Sequence, residues 1–130
     1  MTEWLDRALI ASPYYYRLCV NEKDFHRELK RLKISQEQWP PFITKDAATH
    51  FFEGGDRPLA IVTIGNTKGK SVPQLYAMLV HEAVHVWQDI KESLGEKSPS
   101  SEFEAYSIQA LSQRLMESYE RQKRKARKSK

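Results

Sequence analysis

Two histidines, His81 and His85, stand four residues apart, and Glu82 directly follows the first of them. On an α-helix, side chains at i and i+4 lie one above the other, so the two imidazoles could hold one metal ion. Glu82 projects about 100° round the helix from His81, where its carboxylate could accept a proton from a water that the metal activates. These residue types at this spacing predict a zinc site that performs hydrolysis.

The element that must position these side chains is a long helix over residues 71–94. Ser71 is a typical N-cap, Pro73 suits the first turn and Gly95 supplies the stop. Between residues 75 and 87 the motif supplies nearly all of the polar side chains, which predicts a buried helix. A metal ion would offset the cost of burying two imidazoles and a carboxylate. The alternative is that both are ordinary core histidines, satisfied by backbone or carboxylate partners.

A catalytic zinc usually takes three protein ligands, and the residues alone leave the third one open. His50 is one candidate, and Cys19, in an aromatic stretch that reads as a strand, is a less favoured one. Glu102 and Glu104 are better placed, because they open a second helix predicted over residues 102–119. They should point about 200° apart on that helix, so only one of them can face the metal. Both acids could instead serve only to favour the helix N-terminus.

Several strings of the sequence resemble one known group of proteins. They are His81 to Gln88, residues 95–100, Glu102 to Tyr106 with the Ile-Gln pair that follows, and the upstream stretch 51–64. Together they resemble the gluzincin branch of the zincin metallopeptidases, and most closely its small phage- and prophage-encoded members. The resemblance covers residues 49–109, about half of the chain.

This resemblance implies a zinc-dependent peptidase that acts on a protein or peptide. It implies that His81, His85 and Glu102 hold the zinc and that Glu82 is the general base. Tyr106 stands where relatives often carry Asp or Asn, and it would support a histidine or, like His50, donate to the substrate oxyanion. In zincins an edge strand holds the extended substrate, so residues 49–53 or 59–64 would line the cleft.

The remaining patterns predict an α+β fold in a single domain over residues 1–120, and the resemblance implies that this is a minimal zincin-like domain. Strands are predicted over residues 14–20, 49–53 and 59–64, and the last two should form a hairpin. Helices are predicted over residues 3–10 and 22–33, and a single turn over residues 36–39. The sheet would be antiparallel or mixed, with the motif helix and its partner packed on one face.

The net charge of +4 comes from the end of the chain, where seven of the last ten residues are Lys or Arg. Without that tail, residues 121–130, the chain carries 14 basic and 17 acidic residues. The tail is interpreted as a solvated helix end, or as a weak, non-specific contact for nucleic acid.

Other features of the sequence bear on its location. No run is long enough to span a membrane, no signal-peptide pattern opens the chain, and the single cysteine excludes an internal disulfide. We therefore expect no membrane partner and a cytoplasmic location, which is the host cytoplasm if the protein is phage-encoded. The rival functional hypothesis is a catalytically silent interaction module of phage origin that retains the zincin fold.

Overall fold

The computed structural model describes residues 15–42, 46–52 and 58–128. Within these ranges the chain forms a three-stranded sheet and three α-helices, which confirms the predicted α+β class. The elements, in chain order, are β1 (Tyr15–Cys19), α1 (Glu22–Arg31), a short 3-10 turn (Gln36–Gln38), β2 (Ala47–Phe52), β3 (Leu59–Ile64), α2 (Val72–Ser93) and α3 (Ser101–Lys128). The helix predicted over residues 3–10 lies outside the described residues.

The sheet is mixed, with the strand order β1-β3-β2. The central strand, β3, runs parallel to β1 and antiparallel to β2, with Thr49 of β2 opposite Val62 of β3. All six residues of β3 are buried, as its continuous apolar run predicts. Among the described strands, β2 therefore forms one edge of the sheet.

Alternation along the strands sends side chains to two separate apolar layers. On one face, Leu18, Val62 and neighbouring residues pack against α2 and α3. On the other face, Ile61 packs against Phe25 of α1. The expectation that the motif helix and its partner cover one face together is therefore confirmed.

Helix α2 begins and ends where its sequence predicts. Ser71 forms a capping box with Gln74, since the Gln74 N–H donates to Ser71 Oγ at 3.3 Å and the Ser71 N–H donates to Gln74 Oε1 at 2.7 Å. Gly95 follows the helix with a φ of +73°, a conformation that favours glycine. Among the described helices, none has the length and apolarity needed to cross a membrane.

The prediction that α2 is buried nearly all round is wrong. Only one side of its 22 residues is buried, namely Leu75, Leu79, Glu82, Ala83, Val86 and Trp87. The small sheet and helix α3 together cover only part of the circumference of α2. The face of α2 that carries His81 and His85 therefore stays exposed.

Helix α3 is longer than its sequence predicts. It begins at Ser101, after Ser100 Oγ accepts the Phe103 N–H at 3.2 Å, and it continues to Lys128 instead of ending near residue 119. Gln122 explains part of the difference, because its Nε2 donates to the Leu18 carbonyl of β1 at 2.9 Å. The predicted domain boundary after residue 120 thus falls inside a continuous helix.

Candidate metal and hydrolytic site

The two motif histidines lie side by side on the exposed face of α2. Their Nε2 atoms are 3.3 Å apart, and the rings meet edge to face at an interplanar angle of 73°. One turn further along, Gln88 Oε1 lies 3.3 Å from His85 Nδ1. A carboxamide oxygen only accepts, so in this contact a neutral His85 donates through Nδ1, which leaves the lone pair on Nε2.

This spacing suits a shared metal ion. Two nitrogens bound tetrahedrally to zinc at about 2.0–2.1 Å are about 3.3–3.4 Å from one another. The Nε2 atoms of His81 and His85 already stand at 3.3 Å. Two imidazole nitrogens at such a distance can share a metal ion, as they can share a proton. The Gln88 contact resembles the outer hydrogen bond that metal-bound histidines usually make.

Glu82 occupies the buried flank of the same helix, next to the histidines. It is 5% exposed, and its Oε1 accepts a hydrogen bond of 2.8 Å from Thr49 Oγ1 on β2. A buried carboxylate needs such a partner, because its desolvation is otherwise uncompensated. The hydroxyl thereby fixes one carboxylate oxygen and ties α2 to the edge strand.

The three motif side chains open into one cleft between α2 and the edge strand. Its volume is about 310 Å³, within the usual range for small binding sites. The cleft is lined by Ala47, Ala48, Thr49, Phe51, His81, Glu82 and His85. Of the two strands predicted to line a cleft, β2 does so and β3 does not, because β3 is paired on both sides.

His50 and Cys19 belong to the opposite face of the sheet. His50 contacts Phe25, with ring centroids 5.0 Å apart, and its Nε2 lies 3.2 Å from Thr63 Oγ1. Burial lowers the pKa of His50 from its ordinary value, although the Phe42 carbonyl and the charge of Glu82 oppose that shift. Burial raises the pKa of the Cys19 thiol to about 12. The sheet separates both side chains from the cleft, so neither completes the metal site.

The start of α3 meets α2 through Glu104. Its Oε2 accepts a hydrogen bond of 2.9 Å from Trp87 Nε1 and lies 4.0 Å from Lys91 Nζ. Trp87 and Lys91 project about 140° and 100° round α2 from the midpoint of the two histidines. The return helix therefore packs on the flank of α2 that faces away from the histidine pair.

Glu102 and Tyr106 point away from this contact. They are four residues apart on α3 and lie about 160° round the helix from Glu104. Both are exposed, Tyr106 to 65%. Across residues 15–42, 46–52 and 58–128, no three His, Cys, Asp or Glu side chains are grouped so that they could hold a metal ion. The structure thus brings together His81, His85 and Glu82, while Glu102 as third ligand and Tyr106 as catalytic donor stay predictions.

Two residues of the site carried no role in the sequence-based prediction. Thr49 is 33 positions from Glu82, so their contact depends on the register of β2 against α2. The alternation that sends Ala47, Thr49 and Phe51 to one face was the available signal. Gln88 lies on the same stripe of α2 as the histidines, and that spacing could have assigned it as their partner.

No family model, curated protein or solved structure matches this chain. Its function is therefore inferred from the site.

Proposed function

We propose that this protein is a zinc-dependent metallopeptidase. His81 and His85 would hold the metal through Nε2, and Glu82 would serve as general base. The observation that carries the proposal is the 3.3 Å separation of the two Nε2 atoms, in a cleft that also contains the Glu82 carboxylate. The donor set is one that zinc accepts, because two imidazoles at i and i+4 recur in hydrolytic zinc sites.

Zinc bound at the histidines would polarise a substrate carbonyl and acidify water. The chain's own residues supply the rest of the reaction. Gln88 keeps the His85 ring oriented with Nε2 toward the cleft, and Thr49 holds Oε1 of Glu82. Oε2 of Glu82 is then the oxygen left to accept the proton of the attacking water and to pass it to the leaving amine.

The substrate would be an extended segment of a protein or peptide. The cleft runs along β2, whose outer edge is unpaired among the described strands. An extended segment can add to such an edge through main-chain hydrogen bonds. Phe51, which lines the cleft and is 45% exposed, would supply an apolar contact for one substrate side chain.

The proposal also includes a third metal ligand. The resemblance to gluzincins names Glu102, which lies on the outer side of α3. A half-turn of α3 would only bring Glu102 to the place of Glu104, against Trp87. For Glu102 to join the histidines, the start of α3 would have to give up the bond between Trp87 and Glu104 and move round α2 to the flank that carries the histidines. We propose Glu102 as the third ligand, and its binding would require this rearrangement.

The zinc content of the purified protein tests the metal site. We expect about one zinc per chain after dialysis, and a loss of most of it in His81→Ala and His85→Ala. His26→Ala is the control, since His26 lies on α1 against Trp39 and should leave the zinc content unchanged. Stoichiometric zinc in the double variant of His81 and His85 would refute the assignment.

A second candidate function is a catalytically silent interaction module that uses the same fold, of phage origin by the resemblance. One observation favours it, namely that the described residues assemble two histidines but no third metal ligand. A wild-type protein that binds peptides along β2 but neither retains zinc nor cleaves a broad peptide library would support the module over the enzyme.

A further inference from the structure

The end of α3 carries a dense set of positive charges that the proposed peptidase does not use. The stretch Arg121–Lys128 lies within the helix and contains six basic side chains and no acidic one. From Arg124 to Lys128 every residue is exposed. The charges are therefore held on a helical scaffold.

The scaffold is fixed to the body of the protein by a face free of basic residues. Tyr119 is buried in the core that includes Leu18. Gln122 Nε2 donates both to the Leu18 carbonyl at 2.9 Å and to Ser118 Oγ at 3.0 Å. Ala126 stands four residues after Gln122 and shares its side of the helix. Gln122 thus marks the side that faces β1, and Ala126 continues the uncharged side in the exposed last turn.

The basic residues cover the rest of the circumference. With 3.6 residues per turn, they fan over an arc of about 200° that excludes the side of Gln122 and Ala126. The residues on this arc are Arg121, Lys123, Arg124, Lys125, Arg127 and Lys128. Basic residues therefore occupy more than half of the circumference at this end of α3.

Among the described residues, the two carboxylates that precede this stretch on α3 have partners outside it. Glu117 lies 3.7 Å from Arg114, and Glu120 forms a hydrogen bond with Tyr76 of α2. The basic stretch rises about 1.5 Å per residue, so it presents one positive charge for about every 2 Å of its length. Duplex DNA presents one negative charge for about every 1.7 Å of its axis. The two charge densities are closely matched.

We propose that Arg121–Lys128 is a docking helix for the phosphate backbone of duplex DNA. An α-helix with its side chains is about 10–12 Å wide, which suits the major groove of B-DNA at about 12 Å. The deep, narrow major groove of RNA duplexes would not admit it. Ala126 is the only apolar residue of the stretch, so the helix lacks the apolar face that insertion into a lipid surface requires. Binding would be independent of base sequence, because its contacts are to phosphates.

The test is fluorescence anisotropy with a labelled 20-base-pair duplex of mixed sequence, titrated with the full chain from 50 to 200 mM salt. We expect affinity to fall steeply with salt for the wild type. The triple variant Arg124→Gln, Lys125→Gln and Lys128→Gln should bind at least tenfold more weakly at 50 mM salt. The slope of log affinity against log salt should decrease by about 2–3, since each phosphate contact contributes about 0.9.

The matched control is the triple variant Lys23→Gln, Lys30→Gln and Lys97→Gln, which removes the same charge from exposed sites outside the basic end of α3. It should bind within twofold of the wild type, and a melting curve should show both variants folded. An equal loss of affinity in the control would overturn the proposal, because net charge alone would then explain binding. An unchanged salt slope in the α3 variant, tighter binding to an RNA duplex, or binding to phosphatidylserine vesicles without binding to DNA would each overturn it too.

Discussion

Replacing Thr49 with valine should destabilise the protein through Glu82. The substitution keeps the shape of the side chain and removes the hydroxyl that donates to Glu82 Oε1 at 2.8 Å. A hydrogen bond to a charged group contributes about 1.5–3 kcal/mol to the free energy of unfolding. Glu82 is only 5% exposed, but Thr49 is half-buried and water can partly replace its hydroxyl. We therefore expect the lower part of that range, a loss of about 1.5–2 kcal/mol.

Urea unfolding and thermal melting at neutral pH measure this loss. At about 4 °C per kcal/mol for a chain of this size, the Tm of Thr49→Val should fall by about 6–8 °C. Thr49→Ser, which retains the hydroxyl, is the matched control and should lose much less. In a Glu82→Gln background the bond becomes neutral, so Thr49→Val should cost about 1 kcal/mol or less. A Thr49→Val protein as stable as Thr49→Ser, or an equal cost in both backgrounds, would refute the proposed anchoring of the carboxylate.

Three other side chains, Glu104, Cys19 and His50, give further predictions. Glu104→Ala should lower the free energy of unfolding in urea by about 1–3 kcal/mol, because the buried Trp87 Nε1 loses its acceptor. Glu102→Ala, the control, should change it by less than about 0.5 kcal/mol. The opposite order would mean that α3 packs by its other face. Cys19, whose pKa burial raises to about 12, should not react with a thiol reagent at pH 8 until urea unfolds the protein, and rapid labelling of the native chain would contradict its burial. Burial lowers the pKa of His50 in the folded state, so its contribution to stability is present above the unfolded pKa of about 6.5 and is lost as pH falls below it. Between pH 7.5 and 5, the free energy of unfolding in urea should therefore decline less in His50→Asn than in the wild type. Equal declines in the two proteins would contradict this.

Local signals predicted most of the secondary structure. Ser71, Pro73 and Gly95 marked the ends of α2 within one residue, because capping depends on near neighbours in the chain. The unbroken apolar run of β3 predicted its limits and its burial, but not its central place in the sheet, since residues 59–64 were also a candidate for the edge strand. The predicted start of α1 at residue 22 also agrees with the structure, where the Asn21 side chain caps the helix by accepting the Asp24 N–H at 2.8 Å.

Contacts between distant elements were beyond the sequence. The length of α3 was underestimated because its last turns have almost no apolar residues, and the bond from Gln122 to β1 leaves no periodic pattern. Glu102 and Glu104 are equivalent in type and position on a helix start, and only the packing of Trp87 shows which of them faces α2. The exposure of α2 also depends on how much of its surface the sheet covers, which is a tertiary property.

The most direct test of the peptidase proposal compares wild type with Glu82→Gln at equal zinc content. The variant keeps the shape of the side chain and an acceptor for Thr49, but it removes the proton-accepting carboxylate. Cleavage of an unstructured protein substrate should be abolished by a chelator in the wild type and reduced at least about 100-fold in Glu82→Gln, the usual size of general-base catalysis. Cleavage that survives in a folded, zinc-loaded Glu82→Gln protein would contradict the account.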